Sequence, residues 1–167
     1  MLRKILAVCL MCCAVVALLP VPVGAISDAQ KDTIVTYCDA IRKDLETIRH
    51  NDSRARVYLG RYYETIFTKF IIPLNVRLVE NNLSTNKLID NQNNYKKTRE
   101  NFIIDFIEYQ KKLDSLVETD CKNHADEFYN KLVSVRQKRE IVEKDVQKMK
   151  ALITEHVSLV EGVKGSL

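Results

Sequence analysis

Apolar residues recur at alternating steps of three and four through most of residues 34–160, and this spacing constrains the chain more than any other feature. The first run is Ile34, Cys38, Ile41, Leu45 and Ile48, and its register continues through Asp52, Ala55, Leu59, Tyr62 and Ile66. The second is Leu88, Gln92, Tyr95, Arg99, Phe102, Phe106, Tyr109, Leu113 and Leu116, with Gln92 and Arg99 as polar interruptions. The third is Ala125, Phe128, Leu132, Val135, Arg139, Val142, Val146, Met149, Ile153, His156 and Val160. A mean repeat near 3.5 puts each set on one stripe of a helix, and such a stripe needs a facing stripe to cover it. The spacing predicts an all-α fold: an antiparallel, coiled-coil-like bundle of long helices.

Breaks in the pattern place the turns. Ser27 and Asp28 can cap a first helix. The segment ENNLS (80–84) reads as a turn with Ser84 as N-cap, and residues 118–123 read as a second turn. Gly162 and Gly165 should end the last helix, leaving 162–167 as a frayed tail. The segment HNDS (50–53) is ambiguous. Asp52 or Ser53 could cap a new helix there, giving four helices, yet the register runs straight through it.

The first 25 residues stand apart. Arg3 and Lys4 precede an apolar run over 5–19, and Val23, Gly24 and Ala25 are small residues of the kind signal peptidase accepts. This is the pattern of a secretory signal peptide, with cleavage expected after Ala25. The alternative is an uncleaved anchor, but the run is short against the roughly 20 residues a span needs, and Pro20 and Pro22 close it. The remaining residues, 26–167, have room for one domain, with the bundle over 26–161. Arg3 and Lys4 are two of the 26 basic residues, so 24 remain against 22 acidic ones, a net charge of +2. A near-balanced chain does not suggest nucleic acid, which wants a clustered basic face.

Of five cysteines, three lie in the first 25 residues, leaving Cys38 and Cys121. An exported chain with two cysteines predicts one disulfide, the alternative being two buried thiols. The bridge also bears on topology. If one helix spans 28–80, counting back from the 82–84 turn brings Cys121 near the level of Leu45, within a short loop of Cys38. The legs 84–118 and 124–160 also match in length. Three long helices are therefore expected, with the first one bent.

The bend is expected in RARVYLGRYYETIFTKFIIPLN (54–75). This stretch holds five of the chain's twelve aromatic residues (seven Tyr and five Phe), Gly60, and Pro73, the one proline beyond residue 25. Pro73 has no N–H to bond the Lys69 carbonyl, so a continuous helix should kink there. The stretch is apolar on more than one face, so it is expected to be the helix that both later helices cover. Tyr58, Tyr62 and Tyr63 beside Arg54, Arg56 and Arg61 make a candidate interaction surface, since Tyr and Arg are favoured at interfaces. The bland alternative is that these residues are core or rim.

Catalytic and metal constellations are weak. No histidine has a Glu three residues before it, so the paired Glu-x-x-His pattern of di-iron bundles is missing. Cys121, His124, Asp126 and Glu127 would make a poor metal set if Cys121 is bonded to Cys38. The sequence contains no Gly-rich phosphate loop, no G-x-S-x-G and no H-E-x-x-H. No enzyme activity, cofactor or small-molecule substrate is expected. Residues 136–150 are rich in Lys and Arg but alternate with Glu140, Glu143 and Asp145, as a solvated helix face does. Arg139 sits on the stripe, and counting levels to within about a turn sets it opposite Gly60 and Asp105, so Asp105 and Arg139 are a candidate buried polar pair, given room by Gly60. Asn51 and Asn82 fall in N-x-S acceptor patterns.

Three blocks carry a resemblance: DSRARVYLGRYYETIFTKFIIPLN (52–75), TRENF (98–102) and DCKNHADEFYNKLVSVRQKR (120–139). They resemble secreted all-helical proteins, without an assigned activity, of small-genome epibiotic bacteria of the Saccharibacteria type. The resemblance implies export and an all-helical fold, and it brings no site residues. The expected role is an extracytoplasmic, non-catalytic structural or protein-interaction module, through a protein partner or self-association. Membrane contact is expected only through the first segment if it is retained. The alternative is a holdase-type chaperone, which would hold unfolded clients between long helical arms.

Overall fold

The computed structural model describes residues 26–83 and 85–164, and the chain is all-helical. The expected signal peptide and the end of the tail, 165–167, lie outside the described residues. The α-helices are α1 (Asp28–Thr36), α2 (Cys38–Ile66), α3 (Ile72–Glu80), α4 (Asn86–Val117) and α5 (Ala125–Lys164). A π-helical turn, Phe67–Ile71, joins α2 to α3.

Ser27 caps α1 as expected. Its hydroxyl accepts from the Gln30 N–H while the Gln30 side chain accepts from the Ser27 N–H at 3.0 Å, forming a capping box. Tyr37 then interrupts the helix with φ −102° and ψ 14°. The interruption lets α1 lean on α5, through Lys31 and Asp126 at 2.8 Å, while α2 runs along α4.

No break occurs at 51–53, so the four-helix alternative divided there is overturned. Asp52 and Ser53 cap nothing. Asp52 accepts from the Tyr109 hydroxyl at 2.6 Å, and Ser53 accepts from Gln110 at 2.8 Å. Those cross-helix bonds use the side-chain oxygens that a cap would need.

Before Pro73, where a kink is expected, the helix widens into a π turn. The Ile72 N–H reaches back five residues to the Phe67 carbonyl. The wider ring takes up the strain that the proline would place on a regular turn.

The first turn is a Schellman motif. Asn82 takes the left-handed conformation (φ 56°), the Leu83 N–H donates to the Leu78 carbonyl and the Asn82 N–H donates to the Val79 carbonyl. Asn stands here in place of the usual Gly because its small polar side chain tolerates that region. Ser84, the expected N-cap of the next helix, is outside the described residues, and the N-cap position belongs to Thr85. In the second turn Asp120 gathers the N–H groups of Lys122 and Asn123, at 3.0 and 3.2 Å. The last helix passes through Gly162 to Lys164, further than expected.

Cys38 and Cys121 form the expected disulfide, with Cα atoms 5.7 Å apart. Both are buried.

The centre of the fold is α4, not the 54–75 stretch. It packs along α5 and also against α2, whereas long side chains such as Arg139 bridge α2 to α5. Leu88, Tyr95, Phe102, Phe106, Tyr109, Leu113 and Leu116 are buried as the spacing predicts. The polar interruptions shift by one residue: Asn91 and Thr98 are buried, while Gln92 and Arg99 are half-buried. A helix covered on two sides has two inward stripes, and the residue between them goes deepest.

Candidate functional site

The six residues expected to form one surface divide between inside and outside. Tyr63 is core: it is buried, and its ring meets Phe102 edge-on at 6.4 Å between centroids. The Tyr95 hydroxyl donates to the Tyr63 carbonyl at 3.1 Å. Arg56 is a bridge, donating to Gln110 at 2.8 Å with its guanidinium over the Phe106 ring. Arg54, Tyr58, Arg61 and Tyr62 remain outside, and Tyr58 is 71% exposed. Two residues that the sequence reading passed over join them, Val57 and Phe70, at 60% and 64% exposure. Val57 was findable, because it lies opposite the Cys38, Ile41, Leu45, Ile48 and Leu59 stripe on a helical wheel. Phe70 was not, since the π-turn changes the phase of the helix there.

The outer face of α2 carries cations without counter-charges. Between Glu46 and Glu64 the one carboxylate is Asp52. It is turned inward to Tyr109 and Arg139. Arg49 reaches Asp114 at 3.7 Å and Arg56 reaches Gln110. Arg54 and Arg61 have no ion pair among the described residues.

Beside this face runs a groove between α2 and α4. Val57, Gly60, Arg61 and Glu64 form one wall, and Phe102, Ile103 and Phe106 form the other. An Arg99–Glu64 ion pair bridges one end, with Arg99 also over the Phe67 ring, and Arg56–Gln110 bridges the other. Gly60 lies between the bridges. A Cβ there would meet nothing within 4 Å, so the expectation that Gly60 makes room for an ion pair fails. A helix-interior glycine costs about 0.5–1 kcal/mol relative to alanine. Gly60→Ala is therefore expected to stabilise the isolated protein by about that much, read as a rise in the thermal midpoint. A fall would mean that the glycine serves packing.

Asp105 does not pair with Arg139. Its partner is Lys138 at 2.6 Å, and Lys138 also serves Glu108. Arg139 instead reaches Asp52 at 3.4 Å, with its own side chain 58% exposed. One residue along a helix turns the side chain by about 100°, enough to exchange an inward for an outward position. Asp145 completes the cluster. Its Oδ2 is buried without a hydrogen-bond partner among the described residues, and burial, then the Asp105 side chain, push its carboxyl up to about 6.

A second polar layer lies further along α4. Asn75 donates to the Leu88 carbonyl and to Gln92, at 3.2 and 2.7 Å. Asn91 donates to the Leu152 carbonyl and to Glu155, at 3.1 and 3.0 Å. The Asn91 Oδ1 is thus left to accept, and His156 Nδ1, 3.2 Å away, must donate to it. The other ring nitrogen is buried with no partner among the described residues, and burial holds the His156 pKa below its ordinary range.

The two layers respond to pH with opposite signs. Unfolded histidine takes a proton near pH 6.5 and the folded ring resists it, so that stability is full above about 6.5 and falls as pH drops. For Asp145 the folded state holds a proton that the unfolded chain releases near pH 4. The cost of its charge is absent below about pH 4 and complete above about 6. Asp145→Asn is therefore expected to add roughly 1 kcal/mol at pH 8, with the gain vanishing near pH 4. Urea midpoints across pH check it, and a gain of equal size at both ends would sink the assignment.

Among the described residues no group of three His, Cys, Asp or Glu could hold a metal ion, and no helix is long and apolar enough to cross a membrane. No protein-family model, curated protein or solved structure matches the chain.

Proposed function

We propose that this chain is an exported, non-catalytic helical module that holds a protein partner on the outer face of α2. One observation carries the reading: aromatic and arginine side chains are left outside together. Tyr58, Tyr62, Arg54 and Arg61 share that face, and the two arginines have no counter-charge among the described residues. Elsewhere buried and half-buried polar groups join helix to helix, as Asn75, Asn91, Asp52 and Lys138 do. In this reading residues 1–25 are a signal peptide removed after Ala25. Helices α1 to α3 act as one bent rod and, with α4 and α5, make an antiparallel coiled-coil-like bundle of three. The disulfide fits an oxidising, extracytoplasmic site. The resemblance to secreted helical proteins of Saccharibacteria-type bacteria points the same way.

The test has two parts. N-terminal sequencing of protein recovered outside the cytoplasm should begin at Ile26. A photoreactive residue in place of Tyr58 should crosslink one protein species at the cell surface, and one in place of Lys150, on α5, should not. Equal crosslinking from both positions, or none from either, would remove the partner reading.

A further inference from the structure

We infer that the groove between α2 and α4 seats a helix of a partner protein, and that this helix is acidic, with two carboxylates about two turns apart. The inference rests on the partner reading above and adds the partner's chemistry.

Charge is the first argument. Arg54 and Arg61 stand seven residues apart on α2, about 10.5 Å along the axis. Residues seven apart lie on nearly the same side of a helix, so the two guanidiniums form a row along α2, with Arg61 lining the groove and Arg54 on the outer face just past the Arg56 bridge that closes it. No exposed carboxylate lies between them or beside them from residue 47 to 63. Glu64 is already matched by Arg99. A helix with Asp or Glu at two positions seven apart repeats the same spacing and can meet both cations with charge-assisted hydrogen bonds.

Shape is the second. Val57, 60% exposed, and Ile103, 39% exposed, stand on opposite walls of the groove, and Phe102 and Phe106 line it beside Ile103. Gly60 leaves the α2 backbone bare between them, and nothing in this fold needs it bare. A glycine that packing does not require, in the wall of a groove, is what close approach of another backbone requires. From Arg56 to Glu64 the stretch between the two bridges is about 12 Å long, roughly two turns of a seated helix.

Other occupants fit less well. An anionic lipid surface would gain about 1 kcal/mol from each of the two arginines, and a flat surface cannot reach the recessed glycine. A second copy placed by two-fold symmetry would bring the same face of α2, which offers no exposed carboxylate from 47 to 63 to meet the arginines.

A displayed library of single amphipathic helices, panned against the oxidised protein, tests the inference. Selected helices should carry Asp or Glu at two positions seven apart. Their binding should weaken about tenfold or more on Arg54→Glu with Arg61→Glu, and return when lysine replaces the two acidic residues. Gly60→Leu should weaken binding by a similar factor while circular dichroism and the thermal midpoint stay near those of the parent. Neutral or basic selected helices would overturn the inference. So would binding indifferent to both changes, or co-sedimentation with anionic vesicles at lower protein concentration than helix binding needs. A surface protein crosslinked through position 58 that ignores the Arg54, Arg61 and Gly60 changes would overturn this inference and leave the partner reading standing. Absence of any crosslinked protein would instead overturn that reading.

Discussion

Replacing Cys38 and Cys121 together with serine lowers stability by about 4–5 kcal/mol in urea unfolding, on the chain-entropy estimate for a bridge across 83 residues. Such a bridge acts on the unfolded chain, which loses fewer conformations when it folds. It also has a local task in the folded state. Helix α1 has nine residues, and helices shorter than about 12 residues are marginal in water without tertiary support. Its buried contribution is Ile34 with the preceding Ile26, and its bridge to Asp126 is exposed. Cys38 is the first residue of α2, so the disulfide fastens the α1–α2 junction to the far turn. In the double variant, hydrogen exchange over 28–40 should therefore accelerate before the rest of the fold opens. The urea m-value should rise as well, because an unbridged unfolded chain exposes more surface. A change under 1 kcal/mol, or exchange that quickens evenly along the chain, would contradict this account.

Tyr63→Ala is the second large effect, about 3–5 kcal/mol, the usual range for truncating a buried aromatic residue. Its ring fills the space between α2 and α4 against Phe102, and Tyr95 bonds to its carbonyl. Truncation removes the packing and leaves the Tyr95 bond in place, so a cavity is the main cost. Tyr58→Ala, five residues away, should stay within about 0.5 kcal/mol, because its side chain is mostly in solvent. The pair separates folding from binding in a stretch where both tyrosines look alike as letters. Equal costs at the two positions would mean that α2 presents a different face to α4.

Much of this architecture could be read from the chain. The stripe residues Ile34, Cys38 and Leu45 are buried, as are Phe128, Val135, Val142, Met149 and His156. The turn after Glu80, a helix irregularity next to Pro73 and the Cys38–Cys121 pairing were also legible. The failures share a cause. A spacing of three and four locates a stripe only to within about one residue, or 100° of rotation. It could not tell Lys138 from Arg139 as the partner of Asp105, or Asn91 from Gln92 as the buried amide. It also set Tyr62 on the stripe, where Tyr63 is the inward ring and Tyr62 is 47% exposed.

The sequence by itself therefore determined helix, stripe, turn positions and the disulfide, because each follows from local periodicity, local backbone chemistry or cysteine count. The tertiary structure alone decided that α4 is the central helix, which arginines are left without partners and that Gly60 faces open space. These depend on where a second and third helix come to rest. Side-chain volumes from all of them set that position together, and no single run of residues contains it.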